Sequence, residues 1–195
     1  MLFDSEGYVK VNTTRFGELQ VNKEDIITFS EGVLGFEKLK QFFVVDPGDS
    51  TLILWMQSIE DSEIAFPIIE PKIFKPDYVA KLLPADMASV DLEALSDAKI
   101  YSILTIPSNI TEMSANLKAP IVINNKKKVA KQIVLQDSKL SVKYEMYKDL
   151  KSYIVSYSSD DSKRTTVAEP QTISAKEETN VETTVSPKRE NRNEA

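Results

Sequence analysis

Three carboxylates fall within four positions at Glu60, Asp61 and Glu63, with no basic residue beside them in the sequence. Such a cluster can hold a divalent cation through oxygen, or divide general acid and general base between two members. At a hairpin tip it can equally stay solvated and meet a basic partner. The chain of 195 residues contains no histidine and no cysteine. That removes the commonest general base near neutral pH, the commonest metal ligand and any thiolate site. A Ser-x-x-Lys spacing at Ser96-Asp97-Ala98-Lys99 lacks every motif that accompanies it in enzymes. No catalytic residue, metal or cofactor is assigned, and the chain reads as non-enzymatic.

Lys126, Lys127, Lys128 and Lys131 form the one concentrated basic patch. It supports an alternative reading, a small β-barrel that binds nucleic acid through the hairpin 125–131. Single-strand binders pair such cations with aromatic platforms, and this hairpin has none. The formal net charge of −6 also opposes attraction to nucleic acid or to an anionic membrane. The first residues, Met1-Leu2-Phe3-Asp4-Ser5-Glu6, lack the basic and apolar regions of a secretory signal. No stretch approaches the roughly 18 apolar residues of a membrane span. A cytoplasmic protein whose partners are proteins is the expectation.

The elements that must position these residues are mostly short strands. Leu52–Met56 is an unbroken apolar run, too short for a helix, and suits a strand covered on both faces. Ile64, Phe66 and Ile68 alternate on the returning strand, so 52–70 predicts a hairpin whose tip carries the carboxylates. Pro67 has no N–H to give a ladder, which places that strand at an edge or beside a bulge. Further strands are predicted at 7–11, 16–21, 26–29, 42–46 and 99–106, with another at 77–83. A second hairpin spans 119–135, with Asn125-Lys126-Lys127-Lys128 at its tip. Gly32-Val33-Leu34-Gly35-Phe36 predicts a turn or bulge and has neither the glycines nor the lysine of a phosphate loop. Pro84–Leu95 is the only expected helix, interrupted near Val90-Asp91, and 144–157 fits strand or helix. Many short strands and one short helix indicate an all-β fold: a small antiparallel β-barrel, closed or partly closed, whose closure removes exposed edges.

From Ser158 the composition changes. Residues 158–195 contain no aromatic side chain and few aliphatic ones, and are rich in Thr, Ser, Glu, Lys and Asn. Such a segment cannot bury enough apolar area to offset its ordering entropy. The expected organisation is a barrel domain over 1–157 and a disordered polar tail over 158–195.

The order of segments carries a resemblance. Thr14-Arg15-Phe16-Gly17-Glu18-Leu19, then Asp25-Ile26-Ile27-Thr28-Phe29 leading into Gly32-Val33-Leu34-Gly35-Phe36, resembles the start of the bacterial flagellar assembly factor family, FliW. Met56-Gln57-Ser58 followed by Ile64-Ala65-Phe66 continues it. The strongest match is Ser114-Ala115-Asn116-Leu117-Lys118-Ala119-Pro120-Ile121-Val122-Ile123-Asn124, which keeps the family's N-L-x-A-P-I-x-I-N pattern. Family members often carry proline where Leu34 stands, and they tend to end before the tail. The resemblance implies a small barrel and a partner switch without catalysis. Such proteins bind new flagellin or, alternatively, the RNA-binding translational regulator CsrA, and so relieve CsrA repression of flagellin translation. A basic CsrA surface is expected to meet Glu60, Asp61, Glu63 and Phe66. Asn116, Leu117, Ala119, Pro120 and Ile121 are the candidates for a flagellin-facing or structural edge.

Overall fold

The computed structural model describes residues 7–48 and 52–159. Its strands are β1 (Tyr8–Thr13), β2 (Gly17–Asn22), β3 (Ile27–Phe29), β4 (Gln41–Val45), β5 (Leu54–Ser58) and β6 (Ala65–Ile69). They continue as β7 (Ala98–Thr105), β8 (Ser114–Ala115), β9 (Ile121–Asn124), β10 (Val129–Gln132) and β11 (Tyr144–Glu145). Two helices follow the same order, α1 (Pro84–Ser89) and α2 (Tyr147–Ser159). Strands β3, β4, β5, β6, β7, β9 and β10 form a closed ring. Within the ring only the β3–β10 closure is parallel.

Alternation along these strands divides the apolar residues between an inner core and two outer ones. Phe42, Met56, Ile68, Tyr101, Ile121 and Ile123 fill the barrel. The unbroken run Phe42-Phe43-Val44-Val45 follows from cover on both faces. Phe42 and Val44 point inward, while Phe43 and Val45 pack beneath the β1–β2 ribbon with Val11, Leu19 and Val21. The opposite outer face carries Ile69, Leu104 and Val122 beneath Phe74, Tyr78, Val90, Met146 and Leu150.

The hairpin predicted over 52–70 forms, with Met56 opposite Phe66. Its second strand is not at an edge, since β6 pairs with both β5 and β7. Pro67 is tolerated for a reason of register. The bond from Ser58 N–H to Ile64 C=O fixes which residues of β6 face β5, and Pro67 faces the other way. There the ladder to β7 is only two residues long, Ile68 and Ile69, with Pro67 before it and Pro71 after it. The missing donors lie where pairing has stopped.

Other expectations shift with tertiary context. Residues 77–83 form no strand; Tyr78 and Ala80 are buried in the outer core, and the Tyr78 hydroxyl donates to the Leu117 carbonyl at 3.0 Å. The helix expected over 84–95 stops at Ser89, and Asp91 takes a left-handed φ of 53°. The segment 144–157 resolves as β11 followed by α2, a second helix, because Met146, Leu150 and Tyr153 recur at helical spacing. The expected boundary at 157/158 falls in the last turn of α2, and residues 160–195 of the tail lie outside the described residues.

Candidate partner-binding surface

The acidic tip is held by four groups of hydrogen bonds, and these decide which carboxylates are free. Gln57 is wholly buried on β5. Its side-chain amide nitrogen lies 3.0–3.2 Å from the carbonyls of Ser58, Asp61 and Ile64. The Ser58 hydroxyl accepts from the Glu60 and Asp61 N–H groups, each at 3.1 Å. Asp61 Oδ1 accepts from the Glu63 N–H at 2.9 Å, a local Asx turn. From the β1–β2 turn, the Thr14 N–H donates to the Ser62 carbonyl at 2.9 Å.

Glu60 reaches away from the tip. Its Oε2 accepts from the Lys40 and Gln41 N–H groups at 2.8 and 3.0 Å, tying the tip to the start of β4. The three predicted carboxylates therefore differ in kind. Glu60 and Asp61 are committed to backbone donors, whereas the exposed Glu63 carboxylate has no partner among the described residues. No group of three or more acidic side chains among the described residues is arranged to hold a metal ion.

Phe66 is half-buried, with its ring 5.1 Å from Phe36 in an edge-on contact and 6.1 Å from Phe42. This brings the 32–36 turn alongside the hairpin. The turn is closed by the Phe36 N–H on the Val33 carbonyl at 2.7 Å, with Gly35 at φ 85°. Gly32 must lack a side chain, because a Cβ would stand 2.7 Å from Glu37 Cα. Leu34 and Phe36 are left 56% and 38% exposed, so the turn is an apolar knuckle whose Phe36 meets Phe66. The Gly35 N–H donates to the Glu37 carboxylate at 2.8 Å, and this bond holds the Glu37 pKa below the usual glutamate range. Sequence reasoning had Phe66 but missed Leu34 and Phe36; a leucine and a phenylalanine flanking a turn glycine were the available signal. Trp55 on β5 is covered, since Arg15 stacks over its ring at 3.8 Å and Phe16 meets it edge-on at 6.1 Å.

The second group of predicted residues sits elsewhere. Leu117, Ala119, Pro120 and Ile121 are buried, and β9 pairs on both sides, so this stretch is not a sheet edge. Asn116 shapes the approach to β9: its Oδ1 accepts from the Ala119 N–H at 2.9 Å. The four lysines of the basic hairpin each meet a carboxylate. Lys126 pairs with Asp97 at 3.0 Å, Lys127 with Asp91 at 3.4 Å, Lys128 with Asp25 at 3.7 Å and Lys131 with Glu31 at 2.7 Å. Those contacts argue against the nucleic-acid alternative, which needs free cations.

Taken together, fold and surface define a small closed β-barrel whose β5–β6 tip carries one unpaired carboxylate and whose 32–36 turn exposes apolar side chains. A family model described as FliW protein matches residues 10–146. The chain is 41% identical over 145 residues to the flagellar assembly factor FliW of Bdellovibrio bacteriovorus, a match covering 74% of this chain and 83% of that one. To the protein of the same name from Thermoanaerobacter pseudethanolicus it is 36% identical over 145 residues, covering 74% and 97%. A crystal structure of the flagellar assembly factor FliW superposes with a TM-score of 0.66 at 30% identity, covering 71% of this chain and 96% of that one. The chain belongs to the FliW family of flagellar assembly factors.

Proposed function

We propose that this chain is a non-catalytic partner switch in the cytoplasm, binding flagellin or, alternatively, CsrA, and thereby relieving CsrA repression of flagellin translation. The observation that carries the CsrA half is the unpaired Glu63 at the tip of the hairpin whose Phe66 meets the exposed Phe36. An RNA-binding protein must present positive charge, and a hairpin that offers a free carboxylate and an apolar contact complements such a surface. Within the tip, Glu63 is the partner-facing group, while Glu60 and Asp61 keep the loop in shape. Asn116, Leu117, Ala119, Pro120 and Ile121 serve the fold of the closing strand, so flagellin is assigned to a surface other than their side chains.

The test is calorimetric titration of the full chain with purified CsrA, repeated after saturation with flagellin from the same source. Binding in the first titration and its loss in the second are expected. Absence of a complex with either protein would overturn the reading.

A further inference from the structure

The turn between β1 and β2 carries a charged side chain, Arg15, that the acidic tip brings into play. The Thr13 hydroxyl accepts from the Phe16 N–H at 2.9 Å and donates to the Gly17 carbonyl at 3.0 Å, and Gly17 takes a φ of 70° that favours glycine. These contacts fix the shape of the turn. Its place is fixed by the Thr14 N–H, which donates to the Ser62 carbonyl of the tip at 2.9 Å. Trp55 projects from β5 on the outer face that the β1–β2 ribbon covers, so its ring lies beneath this turn.

Arg15 is exposed, yet its guanidinium is held 3.8 Å from the centroid of the Trp55 ring. That contact engages the central carbon and consumes none of the N–H donors. Among the described residues no acceptor bonds those donors and no carboxylate pairs with the charge, in contrast to the lysines of the basic hairpin. A planar fork held in place by packing suits two parallel bonds to a carboxylate or a phosphate. Its surroundings favour the carboxylate. Through the Thr14–Ser62 bond the backbones of Arg15 and Glu63 lie at most about 11 Å apart. A nucleic-acid strand laid over Arg15 would run against the unpaired Glu63 and a net charge of −6. A folded protein can instead set one acidic and one basic side chain at that separation.

We infer that Arg15 receives a carboxylate of the same protein that meets Glu63 through a basic group, and so sets the partner's orientation on the tip. The inference rests on the reading of the tip as the CsrA-facing surface, and it names a second, opposite charge that the partner must carry beside its cation. Turning such a partner by half a rotation would bring like charges together, a penalty that Glu63 alone does not impose.

The test is titration of purified CsrA into the full chain and into the variants Arg15→Glu and Arg15→Gln, with urea unfolding measured beside binding. Arg15→Glu should bind at least about tenfold more weakly, and Arg15→Gln, which keeps a stem over the Trp55 ring, a few-fold more weakly. Amide spectra unchanged away from the turn would report an intact fold. Reversing the acidic residues of CsrA to lysine one at a time should yield one variant that restores binding to Arg15→Glu and loses affinity for the parent chain. Parent binding that neither substitution weakens would overturn the inference alone and leave Arg15 as cover for Trp55. A loss that no reversal in CsrA rescues would overturn the carboxylate partner. Binding of a single-stranded oligonucleotide by the parent, lost in Arg15→Glu, would assign the fork to phosphate and overturn it as well. No complex with the parent would overturn the reading of the tip and this inference with it.

Discussion

The loop at residues 59–64 and the loop at residues 125–128 hang from the same device. Each follows a buried side-chain amide on the preceding strand, Gln57 in one and Asn124 in the other. Gln57 binds the carbonyls of its own loop, whereas Asn124 donates to Val90 and Asp91 and accepts from the N–H groups of Lys126 and Lys127. What differs is the fate of the charges. The basic loop is surrounded by Asp25, Asp91 and Asp97, which neutralise it, while the acidic loop spends two carboxylates on backbone and leaves Glu63 open. A cluster of like charges in a sequence is thus no measure of the charge a surface can offer.

Replacing the suspending amide should break the comparison most severely. Gln57→Leu removes the donor that gathers the Ser58, Asp61 and Ile64 carbonyls, of which the last two keep backbone donors, and a loss of about 1–2 kcal/mol is expected in urea unfolding. Asn124→Leu should cost a similar amount. A Gln57→Leu protein as stable as the parent would mean the loop is held by Ser58, Asp61 and Thr14 alone.

Charge reversal at the free carboxylate comes next. Glu63→Lys should slow association with CsrA about tenfold at low salt, with little change in dissociation or in the urea midpoint. Glu60→Ala should do the reverse in kind: about 1 kcal/mol of stability is lost because two N–H groups of the Lys40-Gln41 segment lose a charged acceptor. Equal effects of the two substitutions on both readouts would erase the distinction between a free and a committed carboxylate.

A pH titration sharpens the same contrast on the neighbouring turn. The Glu37 carboxylate is held below its usual range by the Gly35 N–H, so its contribution to the turn is present above the ordinary glutamate pKa. It fades as the pH falls through the lower, folded value. The Gly35 amide shift should follow that titration, and Glu37→Gln should abolish it. Least affected will be the basic loop, where Lys126→Gln/Lys127→Gln/Lys128→Gln removes exposed ion pairs worth at most about 1 kcal/mol each. CsrA affinity is expected to stay within twofold of the parent, and a larger fall would place the partner on the wrong hairpin.

Much of the fold was legible beforehand because burial imposes local patterns. The apolar run Phe42-Phe43-Val44-Val45 announced a strand, and the two hairpins announced themselves through apolar runs separated by polar turns. Residues 77–83 misled because Tyr78, Ala80 and Leu82 alternate as a strand would, yet pack on the outer core without a pairing partner. Pro67 misled because a missing donor matters only on the side where a neighbour pairs. In the candidate surface the tip was readable from its charges. Leu34 and Phe36 were not, since only the contact between Phe36 and Phe66 reveals that the turn lies beside it.

The sequence by itself determined the all-β composition, the positions of both hairpins, the absence of histidine and cysteine chemistry and the order of motifs that marks the family. Those properties depend on residue type and near-neighbour spacing, which the chain carries locally. Tertiary structure decided the ring closure through β3 and β10, the pairing of every lysine in the basic loop and the isolation of Glu63. It also decided the parting of β6 from β7 at Pro71. Each of these depends on which distant segments face one another: a carboxylate is free or spent, and a strand edge open or covered, only once its neighbours in space are fixed.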